Sequence, residues 1–144
     1  MSYEDLKVKI KEHEGFRDQV YKDSLGFATI GYGHLVLSID SFKEGVTYKK
    51  KELEKVFDSD FDTAKSNANQ LIEGLPIHHK AKCVIIEMVF QLGMGGVSKF
   101  KKMWKALKQN DYQIASEEML DSKWAKQTPK RAEELSIVMK SCKI

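Results

Sequence analysis

The sequence predicts an α+β fold in which a small β-sheet near the N-terminus is followed by a helical remainder. Short β-prone pieces, punctuated by glycine, occur only between Val20 and Leu37, as in a small meander of hairpins. Apolar residues recur at helical spacing in most of the remaining chain. Because strands and helices are segregated rather than alternating, an α/β sheet is not expected.

Two helices flank the predicted strands. The first runs from about Tyr3 to His13, with Ser2 as its N-cap and Gly15 ending it. The second is long and amphipathic, spanning about residues 48–72 after Thr47 as its N-cap. The β-prone pieces between them are Val20–Tyr21, Phe27–Ile30 and Leu35–Leu37.

The C-terminal half is predicted to be a bundle around one buried helix. Ile77–Leu92 is apolar on most of its circumference, which is typical of a central core helix. Shorter helices are expected at about Ser98–Gln109, Asp111–Asp121 and Pro129–Ser141, the last with Thr128 as its N-cap.

The composition is that of an ordinary globular protein, with 42% apolar and 31% charged residues. The N-terminus lacks the apolar stretch of a signal peptide, and no run of about 18 apolar residues exists. Neither a cleaved leader nor membrane insertion is therefore expected. Cys83 and Cys142 are too few for a disulfide framework and are expected to be free thiols. No metal and no cofactor is expected.

The net charge of +3 is unevenly distributed. An acid-free stretch from Met88 to Asn110 contains Lys99, Lys101, Lys102, Lys105 and Lys108. Such a cluster is most often a solvated helix face, but it can also attract a polyanion such as nucleic acid, an anionic membrane or a cell wall. Because aromatic residues hardly interleave it, a nucleic-acid partner is not expected.

The segment from Glu14 to His34 carries the candidate chemistry. Glu14 ends a predicted helix, Asp23 lies nine residues on at a hairpin turn, and Thr29 follows on a strand. Glycoside hydrolysis needs one carboxylic acid to protonate the leaving oxygen and a second carboxylate to activate water or attack the sugar. The pairing alone is weak in a chain with 21 acidic residues. Glu14 could be a solvated helix-end acid and Asp23 an ordinary Asx-turn residue.

The full string resembles the catalytic segment of the phage-type lysozymes (glycoside hydrolase family 24), those of T-even phages in particular. The shared pattern is E-G-[apolar]-R followed by Y-K-D-x-x-G-[aromatic]-x-T-I-G-x-G-H. The similarity resumes at EKVFDSD, MVFQLG and WAKQTPKRA and is collinear over nearly the whole chain. It implies a muramidase that cuts the β-1,4 bond between N-acetylmuramic acid and N-acetylglucosamine in peptidoglycan, with inversion.

The resemblance also implies roles for single residues. Glu14 would be the general acid, Asp23 the carboxylate that orients and deprotonates water, and Thr29 the hydroxyl that holds this water. His34 matches a histidine that pairs with an acid of the long helix, here Asp60, as a structural tie. The positions that match the saccharide groove and its edge are Leu35, Phe90, Gln91, Gln127, Thr128 and Arg131. Arg131 matches an arginine that approaches the catalytic glutamate.

By the same resemblance, residues 1–144 form one catalytic domain of two lobes with the substrate cleft between them. The N-terminal lobe would contain residues 13–59, and the helical lobe residues 1–12 and 73–144, with residues 48–72 as the connecting helix. Leu25 stands where the T-even relatives have an acid that faces the position of Lys123. That ion pair is therefore not expected here.

The expected role is that of an endolysin. A monomeric enzyme would remain in the host cytoplasm until a holin releases it to the cell wall, where it lyses the host. Two other interpretations stay open. A lytic transglycosylase also uses a glutamate acid but needs no second carboxylate, and it leaves a 1,6-anhydro sugar. A catalytically silent saccharide- or protein-binding module could keep the fold without the chemistry.

Overall fold

The structure is a computed structural model that describes residues 1–142. Seven helices and three strands occur in that range, and the α+β prediction is confirmed. The helices are α1 Tyr3–Glu14, α2 Lys50–Leu71, α3 His79–Ser98, α4 Lys101–Lys108, α5 Tyr112–Leu120, α6 Lys123–Gln127 and α7 Pro129–Ser141. The strands are β1 Arg17–Lys22, β2 Ala28–Gly31 and β3 His34–Leu35.

Contacts divide the chain into two compact units, Ser2–Thr63 and Ala64–Ile144 together with Met1. Helix α2 contributes to both, because the division falls within it. This grouping differs from the division expected from the sequence, in which residues 1–12 joined the C-terminal helices. In the structure Lys7 of α1 pairs with Asp58 of α2 at 3.5 Å, within the first unit.

Helix α1 begins and ends at the residues that the sequence indicates. The Ser2 hydroxyl accepts a hydrogen bond from the Asp5 N–H, and the Asp5 carboxylate accepts one from the Ser2 N–H, which forms a capping box. At the other end Gly15 adopts φ 73° and donates its N–H to the Lys11 carbonyl. Glu14 is therefore the last helical residue.

The sheet of the first unit is antiparallel in the order β1-β2-β3. Tyr21 pairs with Thr29 across β1 and β2, and Ile30 pairs with His34 across β2 and β3. Strand β1 starts at Arg17, earlier than its β-prone core indicates, and an irregularity in register lies between Arg17 and Tyr21. Ile30 is completely buried and anchors the sheet in the core.

His34 links the sheet to α2 and to the following loop. Its Nδ1 lies 2.7 Å from Asp60 Oδ2 of α2, the partner expected from the sequence. Its Nε2 lies 3.1 Å from Asp40 Oδ2, a second partner that the sequence did not indicate. Asp40 also accepts the Leu37 N–H at 2.7 Å. The imidazole thus lies between two carboxylates.

The second unit is organised around α3, as predicted for the central helix. Its buried side chains include Val84, Ile85, Ile86, Met88 and Val89. Gly93 interrupts the helix with φ 78° and ψ 164°. Among the described helices α3 is long and apolar enough to cross a membrane, by length and composition alone, but half of the relevant window is buried inside the protein. A core helix of a soluble protein passes the same test.

One predicted N-cap, Thr47, is wrong, and another, Thr128, occupies its predicted position without making a capping hydrogen bond. Thr47 does not cap α2, which begins at Lys50; its Oγ1 accepts a hydrogen bond from the Gln19 amide at 2.8 Å. Thr128 precedes α7 but makes no capping bond, since its hydroxyl donates to the Trp124 carbonyl. Helix α6, which the sequence did not predict, is capped by Ser122. Cys83 and Cys142 are buried and unbridged, as expected.

The His34 cluster predicts a loss of stability as pH rises. The hydrogen bond to Asp60 is the main cause that raises the pKa of His34 above its ordinary value, against the opposing effect of burial. Stability from this group is therefore fully present below the unfolded-state pKa of about 6.5 and is lost as pH rises through the folded-state pKa. His34→Gln should lower the free energy of unfolding by about 1.5 kcal/mol at pH 5, the cost of a hydrogen bond to a charged group, and by less at pH 8.5.

Urea unfolding at both pH values measures this difference. Asp60→Asn is the matched variant, because it removes the main partner and keeps the imidazole. If His34→Gln lowers the free energy of unfolding equally at pH 5 and pH 8.5, the His34 imidazole is uncharged in the folded protein and the prediction is wrong.

Candidate functional site

Glu14 lies at the C-terminal end of α1 against the backbone of Gly33. A Cβ placed on Gly33 would lie 2.5 Å from Glu14 Oε1 and 3.1 Å from its Cδ. Gly33 also adopts φ 75°, a conformation that costs an L-residue roughly 1–2 kcal/mol. Position 33 therefore requires glycine for two reasons, and the absence of a side chain there is what admits the Glu14 carboxylate.

The residue before Gly33 is held by a network that reaches α1 and α2. The Tyr32 hydroxyl donates to Glu54 Oε1 at 2.8 Å, and Lys11 Nζ lies 2.5 Å from Glu54 Oε2. Burial, followed by the hydrogen bond to Glu54, raises the pKa of Tyr32 to about 12. The hydrogen bond from Lys11 is the main cause that lowers the pKa of Glu54. The ring of Phe16 packs against Tyr32 with centroids 4.9 Å apart. The turn that contacts Glu14 is thus fixed from several sides.

Asp23 sits at the turn between β1 and β2, with one carboxylate oxygen already engaged. Its Oδ1 accepts the N–H groups of Leu25 and Phe27, both at 2.9 Å. Its backbone N–H donates to the Phe27 carbonyl, and its carbonyl accepts from the Gly26 N–H. Asp23 is therefore an Asx-turn residue, as one interpretation of the sequence held. The same bonds fix the orientation of its carboxyl group, and within residues 1–142 no hydrogen bond engages Oδ2.

Thr29 lies on β2 and is almost completely buried, with 4% of its surface exposed. Its hydroxyl donates to the Phe27 carbonyl at 2.9 Å. A hydroxyl has one proton and two lone pairs, so Thr29 Oγ1 is left to act as an acceptor. A water beside it would have to donate a hydrogen bond to Thr29.

Tyr21 is part of the Y-K-D pattern but was assigned no role from the sequence; in the structure it lies opposite Thr29. Burial raises the pKa of its hydroxyl, and the Glu14 carboxylate raises it further. Asp23 acts in the same direction with a smaller effect, while Arg17 opposes both. The Arg17 guanidinium lies over the Tyr21 ring at 4.9 Å. Both candidate catalytic acids thus act on the pKa of the same tyrosine.

Glu14, Asp23 and Thr29 all belong to the unit Ser2–Thr63. Leu35 belongs to it too; it pairs with Thr29 in the sheet and is 48% exposed. This unit provides a half-buried acid on a helix end, a carboxylate of fixed orientation on a turn, and a hydroxyl acceptor on a strand. Those are the groups that acid–base hydrolysis of a glycosidic bond uses.

The other predicted site residues belong to the second unit. Gln91 accepts a hydrogen bond from the Trp124 indole at 2.8 Å, and its amide lies 3.4 Å from the Thr128 hydroxyl. Trp124 is 4% exposed and packs edge-on against Phe100. Gln127 is exposed, and Phe90, which precedes Gln91 on α3, is half-buried.

A cavity of about 520 Å³ lies in the second unit beside these residues. Trp124 and Gln127 line it together with Lys123, Met103 and Glu118.

Arg131 is buried on α7 and lies in a charged pair that the sequence did not predict. Its Nε donates to Glu87 Oε2 of α3 at 2.8 Å. Glu87 is completely buried. A buried carboxylate in the middle of the core helix needs a cation close by, and Arg131 provides one.

Comparison with known proteins identifies the family of the chain. The family model for phage lysozyme matches residues 11–138. Probable T4-type lysozyme 1 of Dictyostelium discoideum is 30% identical, over 94% of this chain and 94% of its own length. Probable T4-type lysozyme 2 of the same organism is 34% identical, over 88% of each chain. Peptidoglycan hydrolase gp36 of Pseudomonas phage phiKMV is 29% identical over 88% of this chain, but the match covers only 14% of that protein.

The range matched by the family model contains Glu14, Asp23 and Thr29. The chain belongs to the phage lysozyme family.

Proposed function

We propose that this lysozyme is a muramidase that hydrolyses the β-1,4 bond between N-acetylmuramic acid and N-acetylglucosamine in peptidoglycan, with inversion at the anomeric carbon. Lysozyme-type hydrolysis of peptidoglycan follows from the family. The bond, the roles of the residues and the stereochemistry are the proposal. The observation that supports it best is the combination of an oriented Asp23 carboxylate with a Thr29 hydroxyl that can only accept.

Glu14 is the general acid in this proposal. It would protonate the glycosidic oxygen as the bond to the anomeric carbon breaks. The Gly33 backbone restricts where the carboxylate can lie, which is the pre-organisation that a proton transfer requires.

Asp23 and Thr29 handle the water in this proposal. A water that donates one proton to Thr29 Oγ1 and the other to Asp23 Oδ2 would have its lone pair directed away from both. That lone pair would attack the anomeric carbon while Asp23 takes the proton. Because the two backbone N–H groups hold Asp23 Oδ1, the carboxyl group cannot rotate freely during this step.

Inversion follows if water attacks directly, on the face opposite the leaving oxygen. A retaining mechanism would instead need Asp23 itself to attack the sugar. Two backbone N–H groups hold Asp23 Oδ1 in the turn. This restraint favours a role for Asp23 in activating water over a role as the nucleophile. We also propose that Leu35, Phe90, Gln91, Gln127, Thr128 and Arg131 contact the glycan or orient the groups that do.

The biological setting that we propose is lysis of a bacterial host by a phage endolysin, stored in the cytoplasm and released through a holin. A second setting has a specific observation in its favour. Two relatives that match over 88–94% of this chain belong to Dictyostelium discoideum, a cellular organism. A cellular organism that produces this lysozyme would use the same reaction to degrade the walls of bacteria that it encounters, from the outer side of the wall.

The acid and base roles predict the effects of two isosteric substitutions. Glu14→Gln removes the transferable proton and Asp23→Asn removes the base, so each should lower kcat on purified walls by at least about 10²-fold. Both variants should fold, since an amide oxygen can still accept the turn hydrogen bonds of Asp23. The rate of turbidity loss and the circular dichroism spectrum measure the two properties. Lysis at the wild-type rate by either folded variant would remove that residue from the mechanism.

The reaction type predicts the products. Mass spectrometry of the released muropeptides should show hydrated reducing ends, and NMR at early times should show the α-anomer of the new reducing sugar. Termini with 1,6-anhydro sugars would identify a lytic transglycosylase instead. An initial β-anomer would indicate retention, with Asp23 as the nucleophile.

The close approach at position 33 predicts a substitution that harms catalysis more than stability. Gly33→Ala adds a methyl group where Glu14 Oε1 lies, and a displacement of about 1 Å can cost on the order of 10²-fold in rate. Gly45→Ala is the matched control, because Gly45 also has a positive φ of 79° but nothing within 4 Å of the added Cβ. Both should lose roughly 1–2 kcal/mol of stability, whereas only Gly33→Ala should lose kcat. Equal rates for the two variants would contradict this role of the Gly33 backbone.

A further inference from the structure

Helix α4 bears three exposed lysines on one face. Lys101, Lys105 and Lys108 follow the i, i+4, i+7 spacing that places residues along a single stripe. With a rise of 1.5 Å per residue, their backbone positions span about 10 Å along the helix axis. Within residues 1–142 none of the three ammonium groups has a carboxylate within 4.0 Å.

These lysines form one edge of a groove in the second unit, which we call the α4 groove. Its volume is about 440 Å³. The other lining residues are Leu71, Glu73, Leu75, Ser98 and Trp104. The Trp104 indole donates to the Val97 carbonyl at 3.0 Å, so the tryptophan offers its ring and not its N–H to the groove.

Within the described residues, the positive charge of this face is not neutralised by ion pairs. Lysines three or four residues apart on a helix repel one another and destabilise it slightly. Elsewhere in the chain, Lys7 and Lys11 are paired with carboxylates of α2. On α4 the corresponding charges are unpaired, and Glu73 is the single acid that lines the groove. An anionic ligand would relieve this repulsion.

We propose that the α4 groove binds a phosphodiester-linked polymer of the bacterial cell wall, of the polyglycerol phosphate type. A phosphate in every repeat matches three closely spaced ammonium groups, whereas the stem-peptide carboxylates of peptidoglycan are borne on alternate sugars and are more widely separated. The polyol carbons between phosphates can contact Trp104 and the two leucines. Such a site would retain the enzyme on the wall independently of the catalytic residues.

Two other polyanions fit the groove less well. Strand-binding proteins stack successive bases on several aromatic rings, and Trp104 is the single aromatic residue of the groove. Helices that bind anionic bilayers present large apolar side chains to the lipid. The apolar residues of α4 other than Trp104, namely Met103, Ala106 and Leu107, are buried.

Calorimetric titration of the full chain with wall polyglycerol phosphate, freed of lipid and peptidoglycan, tests the proposal. The triple variant Lys101→Gln, Lys105→Gln and Lys108→Gln should bind at least about tenfold more weakly, and the slope of log K against log salt should fall by about 2, for three contacts at about 0.7 each. The matched control is Lys80→Gln, Lys130→Gln and Lys140→Gln, which makes the same change in net charge at lysines outside the groove. It should retain the wild-type affinity.

Equal weakening by both triple variants, with circular dichroism showing both folded, would overturn the proposal in favour of a net-charge effect. Tighter binding of a single-stranded oligonucleotide with the same number of phosphates, or of phosphatidylglycerol vesicles, would overturn it in favour of that partner. No measurable binding of the polymer at low salt would also overturn it. Glu14→Gln should bind the polymer like the wild type, so the result does not depend on whether the proposed catalytic mechanism is right.

Discussion

The contact between the Gly33 backbone and the Glu14 carboxylate is the constraint on which the candidate site depends. A carboxylate that ends a helix normally samples several rotamers in water. Here the main chain of the turn after β2 lies where a side chain would otherwise be, and the carboxylate fits against it. Hydrogen bonds elsewhere in this unit hold the turn in place beside Glu14. Tyr32 and Glu54 tie the turn to α2, and Lys11 ties it to α1, the helix that bears Glu14.

The two sides of the proposed reaction are pre-organised in different ways. The Glu14 carboxylate, the proposed acid, is restrained by packing against the Gly33 backbone. The base is limited by hydrogen bonds, because backbone N–H groups take one of the Asp23 oxygens and leave the other. Because packing restrains one group and hydrogen bonds restrain the other, a short sheet of three strands can position both carboxylates more precisely than loops would.

Much of the fold and the core of the candidate site could be predicted from the sequence, because local signals agree there. Ser2 and Gly15 delimit α1, and the apolar pattern of α3 marks it as the core helix. The failures occurred where a polar side chain had several partners to choose from. Thr47 was predicted to be an N-cap but bonds elsewhere, and Thr128 is at the N-cap position but its hydroxyl bonds to another residue.

Residues brought together over long distances in sequence were also missed. The Tyr32–Glu54 bond joins positions 22 residues apart, and the Arg131–Glu87 pair joins positions 44 apart. The spacing of residues along the sequence does not reveal such pairs, because neither partner needs the other for its local secondary structure.

The string that contains the candidate catalytic residues was recognisable only as a whole. Its two acids are not distinctive until the glycines and Thr29 are considered with them. In contrast, the lysines of α4 were visible from the start, but the groove beside them was not, because Leu71 and Leu75 come from another part of the chain.

The division of the chain has a consequence for how the enzyme would lose function under stress. Glu14, Asp23 and Thr29 all lie within the 62 residues of one unit, Ser2–Thr63. Proteins open in cooperative segments whose free energies of opening differ. Transient opening of this segment alone would disperse all three groups at once, whatever the state of the bundle around α3. Heat inactivation would then follow the least stable segment rather than the global melting of the chain, and amide hydrogen exchange in β1 and β2 would report on it before any change in total helix content.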